Sequence, residues 1–152
     1  MGHRFLVLAF VSLVLISCVR SVKHDEVLAG TRALQFAQAA FIQRDFQKSY
    51  PLLSDAAKRY VSPEKFKETL SRLHQGAYPT SLKADEYEPM PGEKALYVYL
   101  TGDNGGEQFQ YMITMEGTAS TDYKVSSFKR GGSYLPSGDK RKFAKPLRIS
   151  KG

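Results

Sequence analysis

Apolar residues recur with two different periods along this chain, and the change from one to the other falls near Gly76. Over residues 25–44, Leu28, Ala33, Leu34, Phe36, Ala37, Ala40 and Phe41 share one broad helical arc, with Arg32, Gln35 and Gln38 outside it. The spacing predicts a long amphipathic helix. Residues 46–60 follow as short helical pieces, because Pro51 and Ser54 interrupt the apolar set Phe46, Tyr50, Leu52 and Leu53. A further helix starts at Ser62: its hydroxyl can cap free N–H groups, Pro63 has the φ suited to the first helical position, and Val61 can staple onto Phe66. Phe66, Leu70 and Leu73 continue it, Glu68 can pair with Arg72, and Gly76 before Pro79 stops it near Gln75.

Beyond Gly76 the period is two. Strands are predicted over 81–88, 94–101, 107–115 and 122–128, separated by turns at 89–92, 103–106 and 117–121. Alternation places Tyr97, Tyr99, Phe109, Tyr111, Ile113, Tyr123 and Val125 on one aromatic face, with Leu96, Val98, Leu100 and Met112 on the other. Helices first and an antiparallel meander afterwards give an α+β class, with N-terminal helices packed on a curved antiparallel sheet. Both sheet faces are partly apolar. The face without helices is expected either to meet a second copy, as a homodimer, or to lie under the segment after Gly131.

The first residues change the picture. A short positive start with Arg4 precedes an apolar run from Phe5, then Ser17 and Cys18, which is the order of a secretory leader. The run falls short of the ~20 residues that a spanning helix needs. Leu15-Ile16-Ser17-Cys18 resembles the lipobox of bacterial lipoproteins, whose cysteine is lipidated after cleavage. The resemblance implies a signal peptide over 1–17, a tether over 18–25, and an extracytoplasmic domain held on the bacterial cell membrane through Cys18. The competing reading is an ordinary leader cut further on, around Val19-Arg20-Ser21, with Cys18 as a plain thiol. Cys18 is the only cysteine, so no disulfide can form within the chain, and a leftover thiol in an exported protein invites unwanted pairing.

The net charge of +7 is concentrated near the C-terminus, where Lys140, Arg141, Lys142, Lys145, Arg148 and Lys151 face only Asp139. The rest of the mature chain is close to neutral, which argues against nucleic acid as a partner. Residues 131–152, with Gly131-Gly132, Pro136, Gly138 and Pro146, are expected to form a basic, flexible tail; the alternative is contact with a polyanion such as an anionic lipid surface.

Asp45-Phe46, the run from Ser49 to Ser54, the run from Tyr60 to Phe66, the hairpin at 103–106 and the closing strand from Asp122 to Phe128 together resemble the nuclear transport factor 2-like (cystatin-like) fold. In that fold a bent sheet wraps a helix to form a cone with a pocket. The resemblance spans the domain at 26–130, although many relatives carry Gly-Trp where this chain has Asp122-Tyr123. It implies a scaffold that hosts enzymes, ligand binders and interaction modules alike.

An enzyme on this scaffold needs a carboxylate of raised pKa inside the cone with a tyrosine donor. The candidates are Asp85 or Glu86 with Tyr97, Tyr99 and Tyr111; the competing reading has the carboxylates in solvent beside Lys83 and the tyrosines as amphipathic core. His74 falls late on the capped helix, where a cation suits the helix C-terminus. No metal-ligand spacing, phosphate loop or local nucleophile motif is present, so neither metal nor cofactor is expected. The preferred reading is a non-enzymatic binding domain for a small apolar ligand or an envelope protein; the alternative is a lyase or isomerase using Asp85 or Glu86.

Overall fold

The computed structural model describes residues 21–131 and 139–150. The leader and Cys18 lie outside the described residues, as does Lys151. Helix α1 (Glu26–Ala37) starts where the Asp25 carboxylate accepts from the Leu28 N–H at 2.9 Å. It runs into a π turn, Gln38–Ile42, in which Gln43 N–H reaches back to Gln38 O at 2.8 Å. Ala39, Ala40, Phe41 and Ile42 are all buried there, so the widened turn brings four consecutive apolar residues inward.

Short helices α2 (Phe46–Ser49) and α3 (Asp55–Tyr60) carry the chain around one side, each capped by the side chain before it, Asp45 and Ser54. Helix α4 (Pro63–Leu73) begins at the expected Ser62 cap, whose hydroxyl accepts from Lys65 N–H at 3.3 Å. It ends slightly sooner than the spacing predicts, because His74 leaves the helical region to bury its ring.

Five strands follow: β1 (Ser81–Pro89), β2 (Ala95–Asp103), β3 (Gln108–Thr118), β4 (Asp122–Arg130) and β5 (Arg141–Ser150). They form one antiparallel sheet in the order β4-β3-β2-β1-β5. The α+β class with helices against one side of an antiparallel sheet is therefore the observed architecture. Part of the β4 edge is covered, since Ser54 N–H donates to Val125 O at 2.8 Å.

Two expectations are corrected. The faces of the sheet sort differently, because β2 and β3 pair with Leu100 opposite Tyr111, Val98 opposite Ile113 and Leu96 opposite Met115. Leu96, Val98 and Leu100 therefore share the helix-covered face with Phe109, Tyr111, Tyr123 and Val125, while Tyr97 and Tyr99 join Met112 on the other face. Alternation within a strand cannot reveal which parity of its neighbour it meets.

The second correction concerns the tail: residues 141–150 form β5 and make β1 an interior strand. Phe143 is 6% exposed and packs on Tyr87 with ring centroids 4.9 Å apart. Gly30 of α1 allows this, since a Cβ there would lie 2.8 Å from both Phe143 and Leu147 side-chain atoms. Pro146 and the surrounding Lys and Arg residues are compatible with a strand at a sheet edge, where one row of N–H groups needs no protein partner.

The core between helices and sheet is aromatic. Phe36 meets Phe41, Phe66 and Phe128 at centroid distances of 5.7, 6.2 and 5.3 Å. The docked position of β5 predicts that Phe143→Ala destabilises the domain by about 3 kcal/mol in urea unfolding, the scale of a large-to-small core change. A free tail would leave the midpoint unmoved.

Candidate functional site

Two groups of polar side chains stand out, one buried under the helices and one on the opposite face of the sheet. The buried group centres on His74, which is 1% exposed at the C-terminal end of α4. Its Nδ1 lies 3.3 Å from Leu70 O and its Nε2 lies 2.8 Å from the Tyr111 hydroxyl. A carbonyl only accepts, so Nδ1 carries the hydrogen and Nε2 accepts from Tyr111. Phe41 stacks on Tyr111 at 4.6 Å, Tyr78 stacks on His74 at 4.9 Å, and the Arg44 guanidinium lies 4.6 Å above the Tyr78 ring.

Burial pushes the His74 pKa down to about 4, opposed by its bond to Leu70, and the positive charge of Arg130 adds to the lowering. Burial likewise raises the Tyr111 hydroxyl above its ordinary value. Both groups are therefore neutral at pH 7, and their polar atoms satisfy each other. His74 is not the cation that the sequence places at the end of α4. Arg130 of β4 fills that role: its Nη1 donates to Leu73 O at 3.1 Å, it pairs with Glu107, and it lies 4.6 Å above the Phe109 ring. No local spacing points to a pair separated by this much chain.

The structure divides the proposed pocket residues between the two faces. Tyr111 is buried under the helices. Tyr97 and Tyr99 lie on the open face with ring centroids 6.5 Å apart, and Tyr99 donates to Glu88 at 2.7 Å. Asp85 occupies an irregularity in β1, where its Oδ2 lies 3.0 Å from Lys83 Nζ and accepts from the Thr101 hydroxyl at 3.1 Å. Glu86 pairs with Lys140 at 3.5 Å, and Lys140 Nζ also lies 4.1 Å from the Tyr99 ring centre. Asp85, Glu86, Tyr97 and Tyr99 thus share the open face, whereas Tyr111 does not join them.

Among the described residues of the C-terminal segment, the basic side chains sit on β5 or just before it. Arg141, Lys142, Lys145 and Arg148 are exposed on β5. Lys142 stands opposite Glu86, and Arg148 stands opposite Lys83 in an open cleft of about 540 Å³ that also includes Thr101, Asp103 and Gln108. Like charges facing each other across strands repel, and Asp85 offsets the Lys83 charge. Among the described residues no three His, Cys, Asp or Glu side chains cluster as metal ligands would, and no helix is long and apolar enough to cross a membrane.

The buried imidazole sets a pH dependence. The unfolded chain takes up a proton at His74 near pH 6.5, whereas the folded chain does so only near pH 4. In between, the unfolded state holds more protons, so stability falls as the pH drops through this window, by about 3 kcal/mol in all. Urea unfolding of the parent and of His74→Gln at pH 7 and pH 4.5 checks this: the variant is expected to lose most of the difference between the two pH values. Equal differences in both proteins would contradict the assignment.

Comparison of the chain with models of known families, with curated proteins and with solved structures returns no match.

Proposed function

We propose that this chain is a membrane-anchored extracytoplasmic lipoprotein whose domain, on a nuclear transport factor 2-like (cystatin-like) scaffold, is a non-enzymatic binding module. The anchor rests on the order of positive start, apolar run, Ser17 and Cys18. The scaffold rests on the long first helix laid against an antiparallel meander.

The observation that carries the binding reading is the content of the space between helices and sheet. Phe36, Phe41, Phe66, Phe109 and Tyr111 of the chain itself fill it, and all five are at most 1% exposed. A ligand there would have to displace core side chains, at about 1.5–3 kcal/mol for each large apolar residue re-exposed. Recognition therefore falls to the open sheet face, where Tyr97 offers an amphipathic ring between Glu88 and Thr114 and beside Tyr99, a composition suited to an envelope protein. Asp85 and Glu86 stand across the sheet from Tyr111 and are each held by a cation, which favours binding over lyase or isomerase chemistry.

Intact mass and detergent-phase partitioning of the protein made in a bacterial host test the anchor. Cleavage before Cys18 with a mass gain from acyl chains is expected, and both the gain and the detergent partitioning should vanish in Cys18→Ala. An unmodified, aqueous product would overturn the anchored reading. For the binding face, a photoreactive residue replacing Tyr97 should form adducts in cells at a several-fold higher yield than one replacing exposed Ser71 on α4; equal yields would end the assignment of the open face.

A further inference from the structure

The sheet has two distinct ends. One carries the turns at 90–94 and 119–121; the other carries the hairpin between β2 and β3, where Ser81, Asp103 and Ser150 meet in register. The N-terminal segment is fastened to the first of these. Ala119 N–H donates to Lys23 O at 3.2 Å. His24 Nε2 donates to Glu93 O at 3.3 Å, and its Nδ1 accepts from the Tyr123 hydroxyl at 3.1 Å. That hydroxyl in turn accepts from Asp25 N–H at 2.9 Å. The chain therefore enters the fold at one fixed place, immediately before α1.

Only five residue steps separate Lys23 from Cys18, a reach of at most about 17 Å when fully extended. The nine residues of β1 put the far end of the sheet about 26 Å from the turn end. We propose that the turn end of the domain, built from residues 90–94 and 119–121 around Lys23 and His24, is the surface that rests on the lipid bilayer, with the C-terminal end of β5 directed away from it. This inference rests on the reading of Cys18 as the lipidated residue.

The tether, rather than charge, produces the contact. In the groove at the turn end, Arg59, Lys94 and Lys124 are matched by Asp55, Glu116 and Asp122. With signs balanced in that groove, and with no net charge on a neutral bilayer to attract Lys23 or the start of β5, the orientation on such a bilayer should be indifferent to ionic strength. The same geometry carries the C-terminal part of β5, with Arg148, toward the far end beside Ser81, whereas Arg141 and Lys142 stand opposite Tyr87 and Glu86 nearer the turn end.

The chain contains no tryptophan, so single reporters can be placed at will. Lys94→Trp marks the turn end and Gln108→Trp the far end, both at exposed positions. Ser120→Trp serves as a second turn-end reporter should Lys94→Trp not fold. The lipidated full-length proteins are reconstituted in neutral phosphatidylcholine vesicles containing a headgroup spin-labelled lipid. Several-fold stronger quenching at position 94 or 120 than at 108, unchanged in high salt, is expected. Equal or reversed quenching in protein whose acyl mass has been verified would overturn the orientation alone, and a contrast abolished by salt would overturn the tether as its cause. Absence of the acyl mass would instead overturn the anchored reading on which the orientation depends.

Discussion

Phe36 and Phe41 project from the first helix and its π turn into a ring of aromatic side chains supplied by α4 and β4, and the remaining geometry is organised around that contact. Phe66 and Phe128 meet edge to face at 5.9 Å beside Phe36, and Tyr111 stacks beneath Phe41. Such pairs add about 0.5–1.5 kcal/mol each beyond burial, and they fix ring orientation as well as position. Because α1 is clamped in this way, its N-terminus must sit at the turn end of the sheet, and Gly30 must lie where β5 can approach. The entry point of the chain and the docking of the C-terminal strand both follow from one packing event.

The aromatic clamp also explains the polar groups around it. His74 can leave the end of α4 and go inward because Tyr111 supplies a hydroxyl there, and Tyr78 with Arg44 covers the outer side of its ring. Arg130 then completes the helix end from the neighbouring strand. On the opposite face the logic is electrostatic: Lys83 with Asp85 and Lys140 with Glu86 join charges across short distances, leaving Tyr97 and Tyr99 among polar neighbours. One face of the sheet is thus packed into the core, and the other carries paired charges and tyrosines.

At the β3–β4 turn, backbone constraint replaces packing. Gly117 has φ +147°, and a Cβ there would lie 1.9 Å from Asp122 O. Asp122 itself adopts φ +61°, and its carboxylate is gripped by Arg32 through two bonds of 2.9 and 3.1 Å. That grip, with the Tyr123 N–H, holds the Asp122 carboxyl below its ordinary pKa. The Asp122 side chain thus secures α1 to the sheet.

Local patterning was enough to determine the helices, the Ser62 cap, four strands and the α+β class, because capping, turn chemistry and periodicity act over a few residues. Three features were decided only in three dimensions. The strand register set which tyrosines share a face, since a single step reverses every side chain. The space over Gly30 turned a basic, proline-containing segment into β5, a gain invisible to any window that does not contain both partners. The burial of His74 against Tyr111 joined residues that no spacing connects, because desolvation and hydrogen bonding depend on what surrounds a group in space rather than on what adjoins it in sequence.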